Sequence, residues 1–326
     1  MTGKRRWQVG KRNFEQAFNA VFHDKQAFND FCSLDVRSEI ETFVINSRTI
    51  YRTSKKFKKY LRFIDKVILR HLDKNEQVVH SYLKEKSVLT AVKAHSSSKC
   101  FFLTDIKDFF TSVKTQNVLH LLTRDKLRIP ITDFERYIET IVNLTTFAGS
   151  IPVGFPTSPS LSNSFLLEFD AVLEKYCCEH GFIYTRYSDD IIISGKSFEG
   201  FDNLENDVQS MLYKSASEDF FLNTKKTRLT QIGNKVKILG LVITLGGSVT
   251  IDSKYKKTLE SLLHFYINDK EKYKDLLERT LHGKEHSLFG LVHYVKSIDQ
   301  AYLEKLQRKY GAYALSALME DRWSDK

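Results

Sequence analysis

The chain has 326 residues, 42% of them apolar, and a formal net charge of +10. That apolar fraction supports a real core and excludes a disordered chain. No apolar run approaches the ~18 residues of a membrane span, and the length suits one multi-lobed enzyme or two domains of about 150 residues each.

The charge is unevenly spread. Residues 1–100 carry 21 Lys and Arg against 10 Asp and Glu, residues 101–250 carry 15 against 18, and residues 251–326 carry 14 against 12. A basic first third beside an acidic middle points to a polyanion partner, nucleic acid first, ahead of charge that serves solubility alone.

In chain order, the opening MTGKRRWQVGKR is basic but leads into no apolar stretch, so it reads as no signal peptide. Cys32, Cys100, Cys177 and Cys178 form no CxxC pair and no metal-ligand spacing, which fits a reducing, cytoplasmic setting. Residues 13–30 predict a helix whose Phe14, Phe18, Phe22 and Phe28 make a packing stripe. Residues 54–72 predict a basic amphipathic helix. Phe57, Leu61, Ile64, Ile68 and Leu72 lie on one face; Lys55, Lys56, Lys58, Lys59, Arg62, Lys66 and Arg70 lie on the other. That second face reads either as a solvated charged surface or as one that tracks phosphates.

CFFLTDIKDFF, Cys100 to Phe110, predicts a strand that breaks at Asp105. Residues 130–148 read as mostly helical. Three of the chain's four prolines then fall between 152 and 159. Ser158-Pro159 reads as a helix cap followed by proline at the first helical position, opening a helix to about His180 that Gly181 ends. Next, FIYTRYSDDIIIS places Asp189 and Asp190 between two apolar β-type runs. A helix over 202–218 follows, then a hairpin turning at Leu245–Ser248, then amphipathic helices over 253–316. The middle of the chain therefore reads as an α+β layer, an antiparallel sheet with helices on one face.

Two adjacent carboxylates at the joint of buried strands repel each other and resist losing water. A third, Asp105, stands at another strand end. A divalent cation neutralises such crowding, and Mg2+ takes one or two carboxylates while leaving room for substrate phosphates. Two ions can clamp an in-line phosphoryl displacement. Asp-Asp is also an ordinary turn sequence, so the neighbouring motifs decide between the two readings.

Those motifs resemble a reverse transcriptase of the bacterial retron and defence-associated type. FLTDIKDFF is similar to the first metal motif, GFPTSPSLSN to the template- and nucleotide-positioning segment, YTRYSDDIIIS to the YxDD motif, LNTKKT to LNxxKT and KILGLVIT to the primer-grip hairpin. SRTIY, Ser47 to Tyr51, resembles the finger segment that holds a triphosphate, and Leu288–Asp299 resembles a thumb helix. The resemblance runs from about Arg48 to Gly311. It implies a right-hand polymerase: fingers and a basic N-terminal region over 1–100, a palm with interleaved fingers elements over 101–250, and a helical thumb over 251–326. It implies an RNA-directed DNA polymerase using two Mg2+ ions, with Mn2+ as substitute, that copies a dedicated noncoding RNA in phage defence. Its partners would be that RNA, the DNA product, dNTPs and an effector protein.

By the same resemblance Asp105, Asp189, Asp190 and Lys226 are catalytic, with Lys226 the proton donor to pyrophosphate. Asp105, Ile106, Asp189 and Asp190 form the metal set. Arg48, Phe110, Val153, Gly154, Pro156 and Ser158 handle the nucleotide, Phe110 as the steric gate against a ribose 2′-OH. Leu239 and Gly240 lie at the primer grip. Three departures stand out. Val153 replaces a Gln that would hydrogen-bond the sugar. Ile238-Leu239-Gly240 replaces the retron Val-Thr-Gly, and Ala91–His95 keeps only the His of Asn-Ala-x-x-His. Competing readings are an RNA polymerase on a similar palm, a catalytically altered RNA-binding module, and protein-primed or non-templated DNA synthesis in a defence complex.

Overall fold

The structure, a computed structural model, describes residues 12–46, 48–281, 285–313 and 315–316. The basic opening of the chain and Ser47, the first residue of SRTIY, lie outside the described residues. The chain falls into two compact units. One comprises the residues up to Lys86 with Phe102–Ile193 and Phe198–Leu229; the other comprises Ser87–Phe101, Ser194–Ser197 and the residues from Thr230 on.

The first unit opens with α1 (Phe14–Phe22) and α2 (Phe28–Cys32), where sequence periodicity suggested one helix. The break lies at His23 and Asp24, both at positive φ, where a left-handed cap closes α1 with the His23 N–H donating to Asn19. A hairpin of β1 (Ile40–Ile45) and β2 (Arg48–Thr53) follows, then α3 (Lys55–Val67), which ends before a short 3-10 turn rather than running on to residue 72. Phe14, Phe18, Phe31, Tyr60 and Phe63 pack edge-to-face and stacked into one aromatic core.

After α4 (Val88–Ala94), which belongs to the second unit, comes β3 (Cys100–Asp105), buried at every position as a central strand should be. Then come α5 (Phe109–Ser112), α6 (Thr115–Arg124) and α7 (Ile138–Thr145). The predicted helix after the prolines is two helices, α8 (Ser158–Phe165) and α9 (Leu167–Glu179). The cap is Thr157; Ser158 is already helical and donates its hydroxyl back to the Pro152 carbonyl at 2.7 Å.

Strands β4 (Ile183–Tyr187) and β5 (Asp190–Gly195) flank Ser188 and Asp189. After α10 (Leu204–Ser215) comes β6 (Arg228–Gln231), and the four strands order as β4-β5-β3-β6. This order sets Asp105, at the end of β3, beside the β4–β5 turn.

The second unit holds an antiparallel sheet of β7 (Lys235–Ile238), β8 (Leu241–Thr244) and β9 (Val249–Ile251), with the expected Leu245–Ser248 turn between the last two. Among the described residues four helices follow: α11 (Ser253–Asn268), α12 (Lys270–Leu281), α13 (Glu285–Ile298) and α14 (Gln300–Tyr310). Leu259, Leu262, Leu263, Leu288, Val292 and Val295 form their shared core. Among the described residues no helix is long and apolar enough to cross a membrane. The chain thus has an α+β fold.

Candidate active site

Asp105 is 3% exposed at the end of β3. Its Oδ2 accepts from Lys226 Nζ at 2.9 Å and faces Asn223 Nδ2 at 3.4 Å. Its Oδ1 is buried without a hydrogen-bond partner among the described residues. The turn that carries Lys226 is fastened to β3 at two points. The Asn223 N–H donates to the Asp105 carbonyl at 2.8 Å, and the Thr104 and Thr227 hydroxyls lie 2.7 Å apart. Lys226 also closes a turn onto the Asn223 carbonyl, which aims its ammonium at the carboxylate. The hydrogen bond to Asp105 raises the Lys226 pKa, while the side chain stays 56% exposed.

Asp189 and Asp190 sit at the β4–β5 turn. A two-residue connection is short enough only for an antiparallel pair. Ser188 takes φ 59, an uncommon conformation for a residue with a β-carbon. Both of its backbone groups are held. Its N–H donates to Ser81 Oγ at 2.8 Å, and its carbonyl accepts from Arg186 Nη1 at 3.0 Å. The Ile106 N–H donates to the Asp189 carbonyl at 2.9 Å, tying the turn to the end of β3.

Burial, then the charges of Asp189 and Asp105, push the Asp190 carboxyl up to about 6, with Lys226 opposing. Among the described residues no group of three or more His, Cys, Asp or Glu side chains is placed to hold a metal ion. The aspartates are an open cluster, and Lys226 covers one oxygen of it. Two features fit a hard cation here: the orphaned Oδ1 of Asp105 and the raised pKa of Asp190. The first is a buried acceptor left unmet although Lys226 holds its partner oxygen, the second is the cost of burying a carboxyl beside like charges, and a cation relieves both.

The nucleotide-handling candidates of the first unit divide. Arg48 opens β2 and is exposed, and its charge opposes the rise in the Lys226 pKa. The Val153 carbonyl accepts from the Tyr51 N–H at 2.9 Å, so the Val153 segment is strapped to β2. Gly154 has φ +107, and a Cβ there would lie 2.3 Å from the Tyr51 carbonyl oxygen. Only glycine fits. Pro156 is half-buried, and Ser158 is fully inside with its hydroxyl spent on Pro152. Phe110 is half-buried, its ring 5.1 Å from that of buried Phe109. Leu239 and Gly240 belong to the second unit. Both take positive φ in the two-residue β7–β8 connection, the signature of a type I′ turn.

Sequence reasoning missed the polar network under the β4–β5 turn. Arg186 pairs with Asp170 through two contacts, and its Nη1 also reaches Asn163 Oδ1 at 3.1 Å. Tyr184 donates to Asp170 at 2.7 Å, and Asn163 donates to the Ser81 carbonyl at 3.0 Å. The available signal was a lone charge, Arg186, inside a β-type run, and a buried arginine requires a counter-charge nearby.

The profile of the family described as reverse transcriptase (RNA-dependent DNA polymerase) matches residues 44–243. The retron Ec73 reverse transcriptase of Escherichia coli is 28% identical over 272 residues, covering 81% of this chain and 83% of that protein. The retron Ec86 reverse transcriptase of Escherichia coli is 25% identical over 280 residues, covering 82% and 79%. The retron Mx65 reverse transcriptase of Myxococcus xanthus is 27% identical over 246 residues, covering 71% and 53%. Among solved structures, telomerase from Candida albicans in complex with a TWJ fragment of telomeric RNA superposes with TM-score 0.49 at 14% identity. That match covers 86% of this chain and 59% of the telomerase chain.

Proposed function

The chain belongs to the reverse transcriptase (RNA-dependent DNA polymerase) family, and from that premise we propose that it copies a dedicated noncoding RNA into DNA at the Asp105–Asp189–Asp190 cluster. The observation that carries this reading is Asp105: buried, with one oxygen held by Lys226 and the other unpaired. Asp105, Asp189, Asp190 and the Ile106 backbone would hold two Mg2+ ions, with Mn2+ as substitute. When bound, such ions neutralise the triphosphate and activate the attacking hydroxyl.

The chain's own residues do the rest. Lys226, exposed and charged, protonates the leaving pyrophosphate. Arg48 grips the incoming phosphates with a planar fork. Phe110 crowds a 2′-OH and so selects dNTPs. Val153 contributes its backbone, since its side chain offers no hydrogen bond to the sugar. Gly154, Pro156 and Ser158 shape the loop beneath the nascent pair. The Leu239-Gly240 turn steadies the primer. Residues 1–100 serve as the N-terminal region and fingers, 101–250 as palm with interleaved fingers elements, and 251–326 as thumb. The retron names of the relatives support a dedicated RNA template. Antiviral defence, an effector partner and a cytoplasmic setting complete the proposal.

The test uses full-length protein purified with its cellular nucleic acid, given Mg2+ and labelled dNTPs without added template or primer. Wild type should yield DNase-sensitive label and Asp189→Ala none. RNA retained by wild type with no label, in Mg2+ or Mn2+, would overturn the polymerase reading in favour of an RNA-binding module.

A further inference from the structure

Helix α3 carries a row of cations that the catalytic reading leaves unused. Lys55, Lys59, Arg62 and Lys66 recur at i, i+4, i+7 and i+11. At 3.6 residues per turn they fall within an arc of about 60° and run about 16 Å along the axis. Lys58 flanks the row, and all five residues are exposed. No described carboxylate is paired with any of them. Asp65, the one acid on the helix, accepts instead from the Ser160 hydroxyl. Lys55–Lys59, Lys58–Arg62 and Arg62–Lys66 are like-charge i, i+4 pairs, which repel along a helix. A face that only keeps the protein in solution intersperses both signs.

The surroundings select the partner. The opposite face of α3 is closed into the core, with Phe57, Tyr60, Leu61 and Ile64 at 0% exposure. The helix therefore has no free apolar face to lay into a lipid surface. The row holds no aromatic or aliphatic anchor of the kind that centres a protein interface. It also lacks exposed rings on which the bases of a single strand stack. What it offers is a straight, rigid line of positive charge, and the matching object is a regular line of phosphates. We propose that Lys55, Lys58, Lys59, Arg62 and Lys66 form a docking strip for the phosphate backbone of a double-helical RNA stem. Only the choice of RNA over DNA rests on the polymerase reading above.

The probe is a 20-base-pair blunt RNA duplex, with an unstructured RNA strand of equal length beside it, each titrated over a series of KCl concentrations. Wild type is compared with a variant carrying Lys55→Gln, Lys58→Gln, Lys59→Gln, Arg62→Gln and Lys66→Gln, since glutamine keeps helix propensity. A Lys59→Gln/Arg62→Gln variant repeats the test should the larger change impair folding. Each lost phosphate contact should make the slope of log K against log salt shallower by about 0.9, so about 4.5 for five contacts and about 1.8 for two. Single-strand affinity and primer extension at saturating primer–template should stay near wild type. An unchanged duplex slope, or an equal loss on duplex and single strand, would overturn the strip. If wild type extends no primer while the duplex slope still falls, the strip stands and the polymerase reading fails.

Discussion

Arg186 and Asp170 meet through two hydrogen bonds, Nε to Oδ1 at 2.8 Å and Nη2 to Oδ2 at 2.6 Å, with both side chains at 0% exposure. The guanidinium's remaining Nη1 reaches forward to the Ser188 carbonyl, one residue before Asp189. The pair thus links the α9 helix to the turn that carries two of the three aspartates. Its position argues that it holds the turn's left-handed residue in place.

Asp170→Ala leaves the Arg186 charge buried without its partner. The expected loss is about 3–5 kcal/mol of stability, the range for breaking a buried pair from one side. Urea denaturation of wild type and variant measures it. A difference below ~1 kcal/mol would show that the pair contributes little. In whatever fraction stays folded, Mg2+ half-saturation should rise while RNA affinity holds, because the turn, not the nucleic-acid surface, is what loosens.

Asp190 gives a pH signature. Its folded carboxyl is raised from the ordinary 3.8 to about 6 by burial and by its carboxylate neighbours. The folded state therefore binds more protons than the unfolded chain between about pH 4 and 6, and metal-free stability falls as pH rises through that window. Asp190→Asn removes the titration. Metal-free wild type and Asp190→Asn should melt alike near pH 4, and the variant should melt higher at pH 7. Cation binding needs the ionised carboxylate, so wild-type Mn2+ affinity should climb steeply from pH 5 to 7. A flat pH dependence of both quantities would refute this reading of Asp190.

Lys226 is tied to Asp105 and stays charged to high pH, its pKa raised first by that hydrogen bond. As a proton donor it should contribute about 10²–10⁴-fold to the chemical step. Lys226→Met should lower the single-turnover rate by about that factor with little change in dNTP affinity. Lys226→Arg should restore the pairing with Asp105 but only part of the rate. A Met variant that loses dNTP affinity and keeps its rate would make Lys226 a binding group instead.

The aspartate cluster was legible because its residues are marked in local sequence. Asp189 and Asp190 interrupt two apolar β-type runs, and Asp105 ends a third. The structure brings these strand ends together through the β4-β5-β3 order, which no local pattern encodes. Asp170 and Arg186 were missed for that reason: Asp170 is one of several acids along α9, Arg186 is the one charge in β4, and only the packing of α9 on β4 makes them a pair. The break at His23 escaped because it puts a residue with a β-carbon at positive φ, where glycine or asparagine is the usual mark. The one-residue error at the α8 cap has a similar origin. Ser158 looks like a cap, but its hydroxyl bonds backward to Pro152, and the cap position falls to Thr157.

Gly154 offers the sharpest steric test of the nucleotide loop. Its φ of +107 lies outside the range that residues with a Cβ adopt without strain, and the added Cβ would stand 2.3 Å from the Tyr51 carbonyl oxygen. That oxygen is backbone, so no side chain can swing aside. Gly154→Ala must push the Val153–Gly154 segment away from β2 or break the bond from the Tyr51 N–H to the Val153 carbonyl. The strain alone costs about 1–3 kcal/mol. Its effect should concentrate on the nucleotide, because Arg48 stands on the same strand as Tyr51. The KM for dNTP should rise at least about tenfold, which corresponds to 1.4 kcal/mol, while the affinity for duplex RNA stays as in wild type. If the Ala variant instead keeps its KM and loses only thermal stability, the contact between Gly154 and Tyr51 is a packing constraint and the loop does not position the nucleotide through it.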